Sequence, residues 1–304
     1  MMKKIVLLMA ATMLLVGCGM QSSFDEGKVK VVTTVGMLGD MAENIGGDLV
    51  DVQNIMGPGV DPHLYQPSAG DISLMEDADI VFYVGLHLEG KMVEIFEHMS
   101  ETKAVVASAE EIDKEELLLA DSATQTYDPH IWFDVALWIE TIEEVETAFA
   151  DFDPDNAEVY AANAESYMAE LLELNEWVLE TVAELPEDQR VLITAHDAFE
   201  YFGRAYGFEV KGIQGISTAS DYGLKDLETL IDFIVEREIK AVFVESSVST
   251  KSIEALQEGV QGKDWDLQIG GELFSDAMGN PDTEEGTYLG MVRHNVNTIV
   301  NALK

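Results

Sequence analysis

The chain has one cysteine and few basic residues, and both shortages exclude whole classes of protein. Cys18 is the only cysteine among 304 residues, so no internal disulfide can form. Seventeen Lys and Arg residues stand against 58 Asp and Glu residues, which gives a formal net charge of −41. A surface of that sign repels phosphate groups, so nucleic acid is excluded as a partner. Hydrophobic residues still make up 47% of the chain, as in a folded protein and unlike a disordered acidic tail.

Long hydrophobic runs are also missing, apart from a short one at the N-terminus. The segment MMKK is basic, IVLLMAATMLLV is apolar, and LVGC follows at 15–18. Such an apolar run is too short to span a bilayer, which takes about 20 residues. A basic start, a short apolar run and a small residue before the cut are typical of a secretory signal, predicted here at 1–17. A buried core helix is the alternative, and the terminal position beside Lys3 and Lys4 disfavours it.

Cys18 stands at the position of the acylated cysteine in bacterial lipoproteins, which the segment LVGC resembles. The polar stretch GMQSSFDEG that follows suits a flexible tether, so we predict a lipidated tether at 18–28. Two or more acyl chains would hold the protein stably on a lipid bilayer. The expected location is therefore the outer face of the cytoplasmic membrane, or the periplasm. A free thiol left by chance is the alternative.

Alternating strand-like and helical segments predict an α/β protein. Strand-like segments such as VKVVTTV, DIVFYVG and IKAVFVES are separated by helical stretches of about ten residues, which indicates crossover units on parallel sheets. The alternation stops in the middle of the chain, where 131–152 is predicted as one helix. A second helix is predicted to begin at Asp153 and Pro154 and to run for roughly 32 residues without an internal Gly or Pro.

These segments predict a fold of two lobes with mainly parallel sheets, joined by one long rigid helix. We place the N-terminal lobe at 29–150, the linking helix at 151–187 and the C-terminal lobe at 188–304. About 32 helical residues would span roughly 48 Å, which is enough to tie two lobes together.

Three of the six histidines share a position relative to the predicted strands. His63 lies in DPHLYQPS, His130 in DPHIWFDV and His196 in TAHDAFEY, each after a predicted strand or at a helix start. Ligands of open parallel sheets collect beyond the carboxyl ends of the strands. Three neutral imidazoles could bind a divalent metal ion there, although any one of them alone would be a loop histidine.

The remaining histidines are weaker candidates. We expect surface roles for His98 and His294, which lie among polar residues on predicted helices, and a structural role for His87. An anionic fourth ligand would favour cation binding, and Asp276 in LFSDAMG could supply it. Glu245 and Glu272 compete with Asp276 for this position, because spacing alone does not choose among the three.

The motifs DPHLYQPS, DPHIWFDV, TAHDAFEYFGRAYGFEV and LFSDAMG, in this order behind LVGC, resemble the manganese/zinc solute-binding lipoproteins of ABC importers. The resemblance covers essentially the whole mature chain. It implies that His63, His130, His196 and Asp276 bind one Mn²⁺ or Zn²⁺ ion in a cleft between two lobes. It also implies an ABC permease and its ATPase as partners, and we expect the chain to be a monomer.

The choice of metal stays open. Dedicated zinc members of this family often carry a His-rich loop before the second ligand, where this chain has EEIDKEELLLADSATQTY without a histidine. Manganese-selective members often have Glu at the third ligand position, where this chain has His196. Three nitrogens and one oxygen hold zinc more tightly than manganese by the usual affinity order, but availability and geometry can override that order. The sequence slightly favours manganese or use of both ions.

Each Asp-Pro pair stiffens the turn ahead of a candidate ligand. Proline fixes its own φ and biases the preceding residue towards an extended conformation. Asp61 and Asp128 could therefore accept a proton from the imidazole two residues later and set its tautomer. The alternative is that both carboxylates only cap their turns.

Two other functions fit parts of the sequence. A zinc-dependent hydrolase also uses three histidines, but it needs an open coordination position, and the chain contains no H-E-x-x-H motif. A surface adhesin on the same fold is the other alternative. The expected function is metal capture for import, and not catalysis.

Overall fold

The structure is a computed structural model that describes residues 24–304, apart from 122, 124–125 and 221–222. The predicted signal peptide at 1–17 and Cys18 lie outside the described residues, as does most of the predicted tether. Within the described part of the chain, no helix combines the length and the apolar character needed to cross a membrane.

The described elements alternate as predicted, with ten strands and ten α-helices in the described ranges. The strands are β1 Val29–Thr33, β2 Val50–Asn54, β3 Ile80–Tyr83, β4 Ala104–Ala107, β5 Leu119–Asp121, β6 Thr126–Tyr127, β7 Val191–His196, β8 Glu209–Gln214, β9 Ala241–Glu245 and β10 Gln268–Leu273. The helices are α1 Gly36–Gly46, α2 Ala69–Asp77, α3 Val93–Ser100, α4 Val135–Glu140, α5 Ile142–Phe152, α6 Ala157–Val182, α7 Glu200–Tyr206, α8 Leu224–Glu236, α9 Lys251–Gln261 and α10 Tyr288–Leu303.

Parallel sheets on both sides of α6 in the sequence confirm the predicted α/β fold. Before α6, one sheet has the strand order β2-β1-β3-β4 with every neighbouring pair parallel. After α6, β7 pairs in parallel with β8 and β9 with β10, as two two-stranded sheets, and β7 lies beside β9. A short antiparallel pair, β5 with β6, stands between the parallel sheets in the chain. The carboxyl ends of β2, β7 and β10 lead directly into the segments that carry candidate ligands.

The long helix α6 is shorter than predicted, at 26 residues, and it follows a 3-10 turn at Pro154–Asn156. The helix was predicted to begin at Asp153, but the Asp153 side chain makes no capping hydrogen bond to the helix backbone. Its carboxylate instead accepts hydrogen bonds from the Asn156 amide and the Tyr160 hydroxyl. Along α6 the buried residues recur every three or four positions, so they form one apolar stripe.

The apolar stripe of α6 packs against both halves of the chain. It contacts α1, α4 and α5 of the first half and α10 of the second. The same hydrophobic cluster includes Val31 in β1, Leu171 on α6 and Phe243 in β9. Because one continuous core spans both halves, large hinge motion would expose apolar surface.

The prediction of one helix over 131–152 was wrong. This stretch forms a 3-10 turn at Ile131–Phe133, then α4, then α5. The chain leaves helical geometry at Asp134, whose carboxylate accepts a hydrogen bond from the Leu137 amide as an N-cap. A second break follows at Thr141, whose hydroxyl donates to the Trp138 carbonyl. His130 immediately precedes the 3-10 turn.

Candidate metal centre

Four side chains from distant parts of the sequence meet between the two halves. His63 lies in the loop after β2, and His130 immediately precedes the 3-10 turn at Ile131–Phe133. His196 is the last residue of β7, and Asp276 follows β10. One ligand atom from each of the four lies within 4.8 Å of those of the other three. The structure therefore brings together all four residues that the resemblance implied.

The distances within this cluster suit a single small cation. The Nε2 atom of His130 lies 3.2 Å from Nε2 of His63 and 3.4 Å from Nε2 of His196. The Oδ1 atom of Asp276 lies 3.3 Å from Nε2 of His130 and 3.4 Å from Nε2 of His196. Tetrahedral ligands about 2.0–2.2 Å from a zinc ion are separated by about 3.3 Å, so the cluster fits one ion. Oδ1 of Asp276 is buried without a hydrogen-bond partner among the described residues, which leaves it free to bind a cation.

Burial isolates the cluster from water. His130 and His196 are fully buried, Asp276 is 1% exposed and His63 is 7% exposed. A buried carboxylate needs a compensating positive charge. In the absence of a metal, the pKa of Asp276 lies well below its usual value, because the neighbouring imidazoles outweigh the opposing effect of burial.

In two of the imidazoles, the nitrogen that points away from the centre of the ligand cluster lies next to a carboxylate. Nδ1 of His130 lies 2.7 Å from Oδ1 of Asp128, and Nδ1 of His196 lies 2.5 Å from Oε2 of Glu245. Such pairs fix the tautomer, so that Nε2 of each ring is the atom presented to the centre. Sequence spacing offered Glu245 as a competitor for the fourth ligand position. The structure places it instead behind His196, where it also accepts a hydrogen bond from the backbone amide of that residue.

The carboxylates also determine how readily the imidazoles bind protons. Burial opposes protonation of His130, but Asp128 and Asp276 outweigh it and raise its pKa to about 9. Burial likewise opposes protonation of His196, and Asp276 and Glu245 raise its pKa well above the usual value. For His63 burial dominates and lowers the pKa to about 3. Because imidazole binds metals in its neutral form, a metal ion would displace the added protons of His130 and His196.

The two Asp-Pro-His turns differ in how the aspartate is used. Asp128 accepts hydrogen bonds from both the backbone amide and Nδ1 of His130, at 2.9 and 2.7 Å, so it caps the turn and pairs with the imidazole. Asp61 accepts a hydrogen bond from the backbone amide of His63 at 2.9 Å. Its other oxygen accepts from the hydroxyl of Thr218, in the second half of the chain. The expectation of an imidazole partner therefore holds for Asp128 and fails for Asp61.

The remaining sequence candidates lie outside the cluster. His98 is exposed, and His294 is half-buried with Nε2 3.0 Å from the carbonyl oxygen of Glu272. His87 is exposed and has a left-handed φ of 68°. The Glu272 side chain is exposed as well, so it is not the fourth member of the cluster. Thr218 was not identified from the sequence, since nothing distinguishes it locally from other loop hydroxyls.

The fold consists of two α/β halves bridged by one long helix, and three imidazoles and a carboxylate are buried between the halves. These features define the class of two-lobed solute-binding proteins, with a site suited to one divalent cation. The sequence matches, over residues 31–302, the family described as zinc-uptake complex component A, periplasmic (ZnuA). The chain belongs to this family.

Named relatives and a solved structure agree with that assignment. The manganese-binding lipoprotein MntA of Bacillus subtilis is 51% identical over 297 residues, covering 97% of this chain and 96% of the relative. The zinc-binding protein TroA of Treponema pallidum is 46% identical over 285 residues, covering 94% and 92%. The solved structure of periplasmic TroA superposes with a TM-score of 0.88 over 91% of this chain and 99% of that one. The predicted family and the predicted fold are both confirmed.

Proposed function

We propose that this chain captures Mn²⁺ or Zn²⁺ outside the cytoplasmic membrane and delivers it to an ABC permease for import. The ligands would be His63, His130, His196 and Asp276. The observation that carries the proposal is that these four ligand atoms converge within 4.8 Å in a buried site. The similar proteins MntA and TroA are named as a manganese-binding and a zinc-binding protein.

Binding fits this site better than catalysis does. A hydrolytic zinc site keeps one coordination position open for water, with three protein ligands. Here four protein atoms converge, and a four-coordinate ion bound by them would have no open position. The family description, a component of a zinc-uptake complex, agrees with transport.

We propose both ions as cargo. Three nitrogens and one oxygen favour zinc over manganese by the usual affinity order, so selection for manganese would depend on metal supply and coordination geometry. The two similar proteins described above differ in the metal that their names state, which gives no reason to choose one.

Calorimetric titration with each ion, and with one ion competing against the other, tests the proposed cargo. His130→Ala removes the central imidazole and should weaken binding by at least about a hundredfold, since loss of a group that merely supports a ligand costs 10–100-fold. His98→Ala removes an exposed imidazole and is the matched control, which should bind like the wild type. Wild-type affinity in the His130→Ala variant would remove this residue from the ligand set.

The finer points of the proposal concern anchoring and assembly. We propose that the mature chain is a monomer, held on the membrane by acyl chains on Cys18 and docked to a permease with its ATPase. Support comes from the LVGC segment and from the similar protein MntA, which is named as a lipoprotein. Cys18→Ala should move the protein from the membrane fraction to the soluble fraction. We also retain 29–150, 151–187 and 188–304 as the proposed lobe and linker boundaries.

A further inference from the structure

The hydrogen bonds between the two halves of the chain are distributed unevenly around the ligand cluster. On the His130 side, buried hydrogen bonds cross between the halves, and three of these involve Asp128 or Trp132. The Trp132 indole donates to the Ser275 carbonyl at 3.0 Å, and the Tyr288 hydroxyl donates to the Trp132 carbonyl at 2.7 Å. The Tyr201 hydroxyl donates to the Asp128 carbonyl at 3.0 Å. Because these groups are buried, breaking the bonds would leave polar atoms without partners, so this side should stay closed.

The His63 side is joined much more lightly. Among the described residues, one hydrogen bond links the loop at 57–66 to the second half, apart from contacts within the ligand cluster. It runs from the Thr218 hydroxyl to Oδ2 of Asp61, at 2.6 Å, and it is only partly buried. Leu64 in the same loop is 50% exposed. Water therefore reaches this side, and it can solvate both groups when the bond breaks.

The hydrogen bond also connects ligand-bearing segments of the two halves. Asp61 holds the backbone amide of His63 with its Oδ1 atom. On the other side, Gln214 is the parallel partner of His196 at the ends of β8 and β7. The side-chain amide of Gln214 donates to the Thr218 carbonyl at 3.4 Å, which fixes the loop that carries the hydroxyl. A short path of bonds thus runs from His63 to the strand end that holds His196.

We propose that the Thr218–Asp61 hydrogen bond is a latch that holds the His63 loop closed over a bound ion. When it breaks, the loop at 57–66 moves away and the ion leaves on the His63 side, while the other three ligands stay in place. This inference rests on the proposed metal-binding function. Asp61 and Thr218 are positioning residues, since neither belongs to the ligand cluster. His63 is the ligand with the greatest exposure, as expected of the ligand that lies nearest to the exit.

Metal dissociation kinetics test the latch. The full-length protein is loaded with Zn²⁺ or Mn²⁺, and the release rate is followed by stopped flow after mixing with a chelator. Thr218→Val removes the hydroxyl at nearly constant volume and should raise the release rate at least about tenfold, the lower limit for one hydrogen bond to a charged group. Thr218→Ser keeps a hydroxyl and should release metal at close to the wild-type rate. Thr229→Val, which removes an exposed hydroxyl on α8, is the matched control.

The outcomes separate the latch from the proposed function. If the wild type binds neither ion, the proposed function fails and the latch fails with it. If the wild type binds but Thr218→Val releases metal at the wild-type rate, the function stands and the latch is wrong. The same holds if Thr218→Ser releases as fast as Thr218→Val. Melting temperatures of the metal-free variants should lie within a few degrees of the wild type, as expected for the loss of one hydrogen bond. A much larger loss in Thr218→Val alone would assign the hydroxyl a structural role instead.

Discussion

The two fully buried ligand imidazoles are each supported by a carboxylate, and His63, which is 7% exposed, is not. Asp128 stands behind His130 and Glu245 behind His196, whereas no carboxylate of the described chain lies within ion-pair distance of His63. A carboxylate behind an imidazole makes it a more basic and better oriented ligand. Two ligands are therefore fixed before an ion arrives, and the third can be displaced with less loss. This difference agrees with the proposed exit on the His63 side.

A buried acid away from the cluster gives a pH prediction at the scale of one residue. Asp40 on α1 accepts a hydrogen bond from the Tyr167 hydroxyl of α6 at 2.9 Å. Burial is the main cause that raises its pKa from 3.8 to about 6, although the hydrogen bond opposes the shift. The folded protein thus holds this proton more tightly than the unfolded chain. The resulting stabilisation is complete below pH 3.8 and is lost as the pH rises through about 6.

Asp40→Asn removes this pH dependence, because the amide stays neutral and can still accept from Tyr167. Relative to the wild type, the free energy of unfolding of the variant should rise by up to about 3 kcal/mol between pH 4 and pH 7. Urea denaturation at several pH values measures the difference. A difference that stays constant over this range would show that Asp40 titrates normally.

At the scale of elements, α6 is stabilised by its buried stripe and not by its ends. Asn156 at the N-cap makes no side-chain capping bond, and the last turn contains no basic residue. An isolated helix of this kind gains little stability of its own, so packing against both halves must hold it. The helix is consequently a sensitive place to test the core that joins the lobes.

Two neighbouring leucines provide the test. Leu171 is fully buried in the stripe, whereas the next residue, Leu172, lies beside the stripe and is 51% exposed. Leu171→Ala should lower the free energy of unfolding by about 2–5 kcal/mol, through lost burial and a residual cavity. Leu172→Ala makes the same chemical change at the surface and should stay within about 0.5 kcal/mol of the wild type. Equal losses in chemical denaturation would contradict the assignment of the buried face.

Local sequence signals predicted most elements but not every boundary. Ser68 is a typical N-cap residue ahead of α2, and its hydroxyl accepts a hydrogen bond from the Asp71 amide. The break between α4 and the preceding turn was missed, although Asp134 is a good N-cap residue. Apolar spacing continued across that break, since Trp132 and Trp138 are both buried in the same core. The apolar periodicity therefore predicted correctly which residues are buried, but it predicted wrongly that they belong to one continuous helix.

At the scale of the whole molecule, the formal net charge of −41 sets the response to salt. Like charges repel one another across a compact surface and destabilise the folded state. The Debye length falls from about 30 Å at 0.01 M salt to about 8 Å at 0.15 M, which screens most of that repulsion. The folded protein should therefore be more stable at the higher salt concentration.

Thermal unfolding of the metal-free protein measures this effect. The melting temperature should rise by several degrees when NaCl increases from 10 to 150 mM at neutral pH, since about 1 kcal/mol shifts it by 2–4 °C in a protein of this size. Metal-free protein is needed because a bound ion would stabilise the fold separately. A lower melting temperature in salt would mean that attractive ion pairs outweigh the net repulsion.

The sequence by itself determined the alternation of strands and helices, the stripe on α6 and the Asp-Pro-His turns, because these depend on neighbours along the chain. Only the tertiary structure decided between Asp276, which follows β10, and Glu245, which is the last residue of β9. The neighbouring positions of β7 and β9 put Glu245 behind His196, and the loop after β10 puts Asp276 at the centre. Thr218 and Asp61 are 157 residues apart in the sequence, and their hydrogen bond forms only once both halves have folded together.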